Sequence, residues 1–393
     1  MTGAEVVFVL HAMQPLTADP VAAVGGPGTE VVVLSSASSG AVIRDPASTD
    51  AAVHRVPAED WAAHIAGHAA GRRHDIVTND EYCLTGCAEL RAGAGLPARH
   101  PARLARYLNK VTMKQALNAG GVPTGRYLAL DQIGPGLAEE IVSGLGLPAV
   151  VKPRQAANSR GIEILRTRAD VTRWLTGHEG PGDGWHVEEY LAGTQFHANA
   201  IVEDGVLTPV LAGRYAGPLL GFGSGTRVGS ATLDPDSAQA RAAHELNAAV
   251  VAALGGEGSF VVHTEFVARP DGRLAVLEVA ARAPGAGVPE MASRHAGLNL
   301  EHANLAMQAG RPHAPVTATG VASGWVWVPV LPGETFGKGP EFGGESVVHI
   351  KEAGRAGNTG TSGKFGASVL LWSEDAAQLD ADMRTAMTWD WTR

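Results

Sequence analysis

The first hundred residues alternate short apolar runs with segments in which apolar residues recur every three or four positions. Residues 6–10, 31–34 and 75–78 predict β-strands, and residues 58–70 predict a helix between the second and third of them. Strands that alternate with helices along a chain usually form a parallel sheet with both faces covered. The pattern therefore predicts a parallel, doubly wound sheet at the start of the chain.

Helical periodicity returns at residues 102–119 and stops at Gly120 and Gly121, with Pro123 just beyond. Glycine followed by proline is a common end of a helix, so a domain boundary is expected near this point. A small α+β lobe is predicted next, with strands at residues 149–152, 162–165, 186–191 and 198–207. The last of these folds back at Asp204-Gly205, a favourable hairpin dipeptide.

The remaining pattern predicts a helix, a hairpin and a β-rich tail. Apolar residues at helical spacing occupy residues 235–254, and the hairpin joins residues 260–268 to 273–280 around Asp271-Gly272. After residue 310 the pattern predicts strands near residues 326–330, 347–350 and 369–372, and a closing helix at 374–387. This tail is expected to form a small subdomain.

Composition narrows the classes of function. The 393 residues include 31 Lys and Arg and 40 Asp and Glu, a net charge of −9 without any long basic run, so surfaces for nucleic acid or anionic lipid are not expected. No apolar run approaches the ~20 residues that span a bilayer. The first Lys or Arg is Arg44, which does not fit the basic start of a secretory signal. Cys83 and Cys87 exclude a disulfide framework and are expected to be buried thiols of a cytoplasmic protein.

The predicted hairpin brings two carboxylates together. If Asp271-Gly272 is a two-residue loop, Glu265 lies opposite Glu278. Like charges on directly opposed strand positions, with Cβ atoms about 5 Å apart, are destabilising unless a cation offsets them. Mg²⁺ would do so, because it binds carboxylates together with phosphate oxygens and water. The same alternation keeps Arg282 on this face. The alternative is an exposed glutamate pair on a solvated sheet face.

Two further segments could contact a nucleotide. Lys152 ends a predicted strand before the polar loop 154–161, in which Ser159 and Gly161 offer a hydroxyl and backbone N–H groups to phosphate oxygens. A solvated lysine is the alternative. Residues 185–195 end a strand whose exposed backbone could bind an adenine edge while a side chain holds ribose hydroxyls. Taken alone, that segment is more commonly explained as an ordinary charged edge strand.

Taken in order, these segments resemble the ATP-grasp superfamily. The similar motifs are NKVTMK with AGGVP (109–123), VKP leading to SRG (151–161), VEEYLAGTQ (187–195), HTE (263–265) and LEVAAR (277–282). The resemblance covers about residues 75–310. Within the superfamily, the chain is most similar to the carboxylate-amine ligases that join amino acids into dipeptides or related amides.

The resemblance implies an ATP-grasp fold of the α/β and α+β classes. We expect an N-terminal Rossmann-like domain at residues 1–105 and an ATP-grasp domain at 106–310, which includes a mobile lid lobe at about 121–190 and a central antiparallel sheet. A small β-rich C-terminal subdomain at 311–393 would complete the ligase. Related ligases are commonly dimers, so a homodimer is expected.

The resemblance also implies the roles of individual residues. Lys110 and Lys152 would bind ATP phosphates with Ser159 and Gly161 of the lid loop. The implied adenine residues are Glu188, Glu189 and Leu191, with Gln195 at the ribose. Glu265 and Glu278 would bind Mg²⁺, or alternatively Mn²⁺. Arg282 would hold the phosphate or the carboxylate of the reacting acid and, with Lys152, act in catalysis.

The implied reaction is phosphoryl transfer from ATP to a small carboxylic acid, followed by attack of an amine on the acyl phosphate. Two positions depart from the family pattern, since Gln195 replaces a usual Glu and Ala280 replaces a frequent metal-binding Asn. The alternatives are an ATP-grasp carboxylase or kinase acting on a small acid, and a non-catalytic nucleotide-binding protein. Candidates to hold a substrate carboxylate are Arg214, Arg227, Arg294 and His263.

Overall fold

The computed structural model describes residues 5–44, 46–134, 136–157, 159–178, 180–217, 219–220, 225–331, 334–350 and 365–392. Its N-terminal part contains β1 (Val6–His11), α1 (Pro20–Val24), β2 (Glu30–Ser35), β3 (Ala52–Arg55), α2 (Trp61–Ala69), β4 (His74–Thr78) and α3 (Leu84–Gly93). The four strands form a parallel sheet in the order β3-β2-β1-β4, which confirms the predicted sheet. Strand β3 was not predicted, because it lies at the sheet edge with mostly exposed side chains and has no apolar run.

The predicted helix at 102–119 is two helices, α4 (Ala105–Leu108) and α5 (Lys110–Ala119). Asn109 separates them, and its side-chain oxygen accepts hydrogen bonds from the N–H groups of Val111 and Thr112 at the start of α5. Lys110 and Lys114 lie four residues apart and therefore project from the same face of α5. Both are buried, and both belong to the site described below.

A lid lobe follows, with its own sheet and core. It contains β5 (Tyr127–Ile133), α6 (Leu137–Gly144), β6 (Ala149–Pro153), β7 (Glu163–Leu165), α7 (Arg168–Thr176) and β8 (Gly180–Glu189). The strand order is β5-β8-β6-β7, and all three pairings are antiparallel. Ile141, Val151 and Trp174 pack in the core of the lobe.

The central sheet has eight strands and includes those of the C-terminal part. Its elements are β9 (Thr194–Glu203), β10 (Val206–Tyr215), β11 (Val228–Thr232), α8 (Ala238–Leu254), β12 (Ser259–Ala268), β13 (Leu274–Ala280), α9 (Val288–Ala296), α10 (Leu300–Gln308), β14 (Ala322–Pro329), β15 (Glu345–Ile350), β16 (Phe365–Ser373) and α11 (Ala376–Thr388). The order is β13-β12-β9-β10-β11-β14-β16-β15, antiparallel throughout. The strands after residue 310 thus extend the central sheet and do not form a sheet of their own.

Two expectations about individual segments are settled by the fold. Cys83 and Cys87 are free, buried thiols, as predicted, and burial raises the pKa of Cys87 to about 12. Within the described ranges, no helix is both long enough and apolar enough to cross a bilayer.

Candidate active site

A cleft of about 1280 Å³ lies between the N-terminal sheet, the lid lobe and the central sheet. Ten of the eleven predicted site residues line it: Lys110, Lys152, Ser159, Glu188, Glu189, Leu191, Gln195, Glu265, Glu278 and Arg282. The eleventh, Gly161, helps to turn the lid loop. Its φ is +69°, and a Cβ atom there would lie 2.9 Å from Cγ of Pro153, so a side chain at this position would clash. Asn158, in the same loop, lies outside the described residues.

Glu265 and Glu278 lie opposite each other in the hairpin, as predicted, but the loop length and the strand pairing differ from those predicted. The N–H of Arg269 donates to the carbonyl of Arg273, so the loop has three residues, with Gly272 at positive φ, and not two. A bulge near Leu277 shifts the register back by one residue, and Glu265 pairs with Glu278. The extra loop residue and the bulge shift the register in opposite directions, so Glu265 still pairs with Glu278 as it would in a two-residue loop without a bulge.

The carboxylate of Glu265 is held by two neighbours. The hydroxyl of Tyr215 donates to Oε1 at 2.7 Å, and Nε2 of His263 lies 3.4 Å from the same oxygen. Burial alone would raise the pKa of Glu265, but His263 and Tyr215 overcome it and lower this pKa to about 2. Glu265 is therefore ionised across the physiological range.

A buried chain of hydrogen bonds continues from His263. Its Nδ1 lies 2.8 Å from the side-chain oxygen of Asn199, and the Asn199 amide nitrogen lies 2.8 Å from Nδ1 of His197. Nε2 of His197 is then 2.7 Å from Oγ of Ser230. Since the amide donates to Nδ1 of His197, this ring carries its proton on Nε2. The same amide accepts the Nδ1 proton of His263 and so directs Nε2 of His263 towards Glu265.

On the other strand, Glu278 faces a lysine from α5. Nζ of Lys110 lies 2.8 Å from Oε1 of Glu278 and donates to the carbonyl of Ala156 in the lid loop at 2.7 Å. Burial alone would lower the pKa of Lys110, but Glu278 and Glu81 raise it above its ordinary value. Lys110 thus connects Glu278, one of the two carboxylates predicted to bind Mg²⁺, to the loop 154–161 that is predicted to bind phosphate.

The carboxylate of Glu188 is held by two buried lysines. Its carboxylate lies between two buried ammonium groups, 2.8 Å from Nζ of Lys114 and 2.5 Å from Nζ of Lys152. These contacts overcome burial and hold the pKa of Glu188 well below its usual range. Its side chain therefore balances the charge of the two lysines, and its predicted place beside adenine stays a prediction.

The segment after β8 offers groups suited to a nucleotide base and sugar. The side chain of Glu189 binds Arg126 at 2.9 Å and Arg269 at 2.7 Å, which fixes the end of the strand. Leu191, two residues on, has no hydrogen-bond partner for its N–H or C=O within the described part of the chain. The side-chain oxygen of Gln195 is buried and likewise unpartnered there. Adenine-edge and ribose hydrogen bonds would satisfy these groups.

Arg282 is held by the N-terminal domain. Its Nε and Nη2 both donate to Oε2 of Glu81, at 2.9 and 2.7 Å, and its Nη1 donates to the carbonyl of Ala283. Burial alone would lower the pKa of Arg282, but Glu81 raises it above the ordinary value. Arg282 lines the cleft. Its ion pair with Glu81 connects the end of the hairpin β12–β13 to the N-terminal domain.

Several residues that line the cleft or hold its side chains were not predicted from the sequence. Lys114 stands in the NKVTMK motif but was given no role, and Tyr215 belongs to none of the motifs. His197 and Asn199 had a usable signal, because they are alternate polar positions in an otherwise apolar strand. Glu81 closely follows β4, at the sheet edge where α/β folds commonly bind ligands.

The arginines proposed to hold a substrate carboxylate lie elsewhere. Arg214, Arg227 and Arg294 are not among the described residues that line the cleft. Arg227 donates to the carbonyls of Met387 and Trp389, and the guanidinium of Arg294 lies 3.9 Å above the ring of Trp372. His263 and Arg44 do line the cleft. Residues 221–224, between Arg214 and Arg227, lie outside the described part.

The chain is similar in sequence to two kinds of ligase. Over 103 residues it is 31% identical to a D-alanine–D-alanine ligase of Synechococcus sp. (strain JA-3-3Ab), a match that covers 26% of this chain and 32% of that protein. Over 243 residues it is 25% identical to an L-arginine-specific L-amino acid ligase of Bacillus subtilis, covering 59% of this chain and 56% of that protein. The matches thus span about a third and about half of these relatives. No family model matches the chain.

Solved structures align along nearly the whole chain. An L-amino acid ligase from Bacillus licheniformis superposes with a TM-score of 0.73 at 16% identity, over 98% of this chain and 97% of the other. A carboxyaminoimidazole ribonucleotide synthase from asperigillus clavatus, in complex with ATP, gives a TM-score of 0.71 at 14% identity, over 96% and 97%. The chain therefore has the ATP-grasp fold.

Proposed function

We propose that this protein is an ATP-dependent carboxylate-amine ligase that forms an amide or peptide bond and releases ADP and phosphate. The observation that carries the proposal is one cleft in which the Glu265–Glu278 pair, Lys110 and Lys152 converge with Arg282. A paired carboxylate site beside buried cations is the set of charges that phosphoryl transfer requires. The sequence similarity to amino acid ligases supports the same reaction.

The nucleotide would enter between the lid lobe and the central sheet. The unpartnered backbone of Leu191 would bind the adenine edge, and the unsatisfied oxygen of Gln195 would accept a ribose hydroxyl. Lys110 and Lys152 would contact the phosphates. Both lysines are already paired with carboxylates, so phosphate oxygens would share or replace those partners at little desolvation cost.

The donor set fits a magnesium ion. Glu265 is held ionised by Tyr215 and His263, Glu278 faces it across the hairpin, and both line the cleft. Hard carboxylate oxygens suit Mg²⁺ or Mn²⁺. When bound, the ion would neutralise the charge on the transferring phosphate.

The chain itself would orient the reactants and exclude water. A carboxylate oxygen of the acid would attack the γ-phosphorus, ADP would leave, and an amine would then displace phosphate from the acyl phosphate. Lys152 and Arg282 would hold the phosphoryl group while negative charge shifts between donor and acceptor. Acyl phosphates hydrolyse readily, so closure of the lid lobe over the cleft would protect the intermediate.

The opposite end of the cleft would take the acid and the amine. Trp325 and Trp327 form an apolar wall there, beside Arg44 from the N-terminal part. Two buried atoms of cleft-lining residues, Nε2 of His11 and Nε1 of Trp325, have no hydrogen-bond partner among the described residues. An amino acid would fit this region, because its side chain would pack against the tryptophans and its amino and carboxylate groups would form hydrogen bonds with the unpartnered polar atoms.

The test is product analysis with Mg²⁺-ATP, pooled L-amino acids and other small acids, with and without amine acceptors. ADP release that requires both acid and amine, with a matching amide in the mass spectrum, supports the ligase. Release of AMP and pyrophosphate would refute the acyl-phosphate route. Glu278→Gln should abolish turnover, whereas Glu345→Gln, an exposed carboxylate of β15, should leave it unchanged.

A carboxylase acting on a small acid or amine is the second candidate. It is favoured by the superposition on the carboxyaminoimidazole ribonucleotide synthase, whose TM-score is close to that of the amino acid ligase. ADP release that requires bicarbonate together with a single organic substrate, and not an organic acid together with an amine, would support the carboxylase.

A further inference from the structure

A cluster of three histidines lies in the N-terminal domain, apart from the cleft. His64 and His68 are four residues apart on α2, so their rings project from one face of the helix. His54 comes from the edge strand β3. One ring nitrogen from each residue lies within 4.8 Å of those of the other two. None of the three is among the described residues that line the cleft.

The nitrogen positions suit a shared metal ion. Nδ1 of His54 lies 3.1 Å from Nε2 of His64. Two imidazole nitrogens on one tetrahedral Zn²⁺, each at about 2.0–2.1 Å, stand about 3.3 Å apart. The nitrogens of His54 and His64 are therefore already about as far apart as two ligands of one Zn²⁺ ion. A modest rotation of the third ring would bring all three within reach of one ion.

A carboxylate orients the third histidine. Nε2 of His68 lies 2.9 Å from Oε1 of Glu30, and Nη1 of Arg72 donates to the other oxygen of Glu30 at 2.7 Å. When Nε2–H donates to Glu30, the lone pair of Nδ1 is left free for a metal. A carboxylate behind a histidine is the usual second layer of a metal site, since it fixes the ring and its tautomer.

The protonation state of the cluster also favours a metal. Burial, followed by the neighbouring His64 and His68, lowers the pKa of His54 and so favours its neutral ring. Neutral imidazole is the form that binds metals. The rings are only partly buried, so solvent can reach the cluster and supply a fourth ligand.

We propose that His54, His64 and His68 form a binding site for a divalent transition-metal ion, represented by Zn²⁺, with water as the remaining ligand. The ion would join the exposed edge strand β3 to helix α2. It would thereby stabilise the N-terminal domain. The site is independent of the proposed ligase chemistry, because it shares no residue with the cleft.

The test is equilibrium dialysis of the metal-stripped full-length protein against Zn²⁺, with excess Mg²⁺ present to fill the carboxylate site. We expect one Zn²⁺ per chain. A variant carrying His64→Gln and His68→Gln should bind Zn²⁺ at least about tenfold more weakly. Loss of a residue that only orients a ligand already lowers metal affinity about tenfold or more, and loss of a ligand itself should lower it at least as much. The matched control His349→Gln, which removes an exposed histidine of β15, should bind Zn²⁺ like the wild type.

A second measurement needs no variant. Diethyl pyrocarbonate modifies imidazole nitrogens that are free of protons and metal, and peptide mass spectrometry reports each site. Zn²⁺ should protect His54, His64 and His68 while leaving the modification of His349 unchanged. Undiminished modification of the three rings at saturating Zn²⁺, or equal Zn²⁺ binding by the double variant and the wild type, would overturn the proposal.

Discussion

Replacing Glu188 by glutamine should strongly destabilise the protein, because two buried lysines would lose their shared counter-charge. The Glu188 carboxylate is 5% exposed, and the side chains of Lys114 and Lys152 are 2% and 6% exposed. Removing one partner of a buried ion pair typically costs about 3–5 kcal/mol, since the remaining charge is left without compensation. We expect a loss of about this size in the free energy of unfolding.

The loss should depend on pH with a definite sign. The pKa of Lys114 is already lowered, first by burial and also by Lys152, and removal of Glu188 would lower it further. A lysine whose folded pKa lies below its unfolded value binds fewer protons when folded, so stability rises with pH. The deficit of Glu188→Gln should therefore be largest near pH 6–7 and shrink towards pH 10.

The neighbouring Glu189→Gln is the matched control. Its partners Arg126 and Arg269 have side chains that are 62% and 27% exposed, and such pairs contribute about 0–1 kcal/mol. Urea unfolding, followed by the fluorescence of Trp174 and Trp185 in the lid lobe, would measure both variants. Equal losses for Glu188→Gln and Glu189→Gln would refute the reasoning.

The site supports three further predictions. Tyr215→Phe removes a hydrogen bond to the ionised Glu265, worth about 1.5 kcal/mol, so half-maximal ADP release should need about tenfold more Mg²⁺; an unchanged requirement would contradict this. Glu81→Gln should cost about 3 kcal/mol in urea unfolding, because it leaves the Arg282 guanidinium buried without its carboxylate; a loss under about 1 kcal/mol would argue against a structural role for the pair. Burial raises the pKa of Glu301 to about 7, so the wild type should lose up to about 3 kcal/mol between pH 4.5 and 7, whereas Glu301→Gln should show no such loss in pH-dependent unfolding.

The main strands and several of the helices could be predicted because their side chains repeat with a clear period. The sequence also predicted that Glu265 and Glu278 lie opposite each other, although the loop length and the bulge that set their register are not visible in it. The edge strand β3 escaped prediction because it buries little apolar surface. Register in exposed or irregular segments depends on tertiary contacts that no local pattern encodes.

Contacts between distant segments were the part that the sequence could not provide. Nothing near Arg282 indicates that Glu81, about 200 residues earlier, would hold it. Similarly, the motif around Glu188 does not indicate that its carboxylate pairs with both Lys114 and Lys152. A motif shows which residues gather at a site, but the charges around each one decide where its side chain lies.

The central claim is that a carboxylate of the acid substrate attacks ATP to form an acyl phosphate. The most direct measurement uses an acid substrate labelled with ¹⁸O in both carboxylate oxygens, with mass analysis of the released phosphate and amide. Our account predicts ADP as the nucleotide product and one ¹⁸O atom in each phosphate, because the attacking oxygen leaves with phosphorus when the amine displaces it. Unlabelled phosphate, or label found in AMP, would contradict the account.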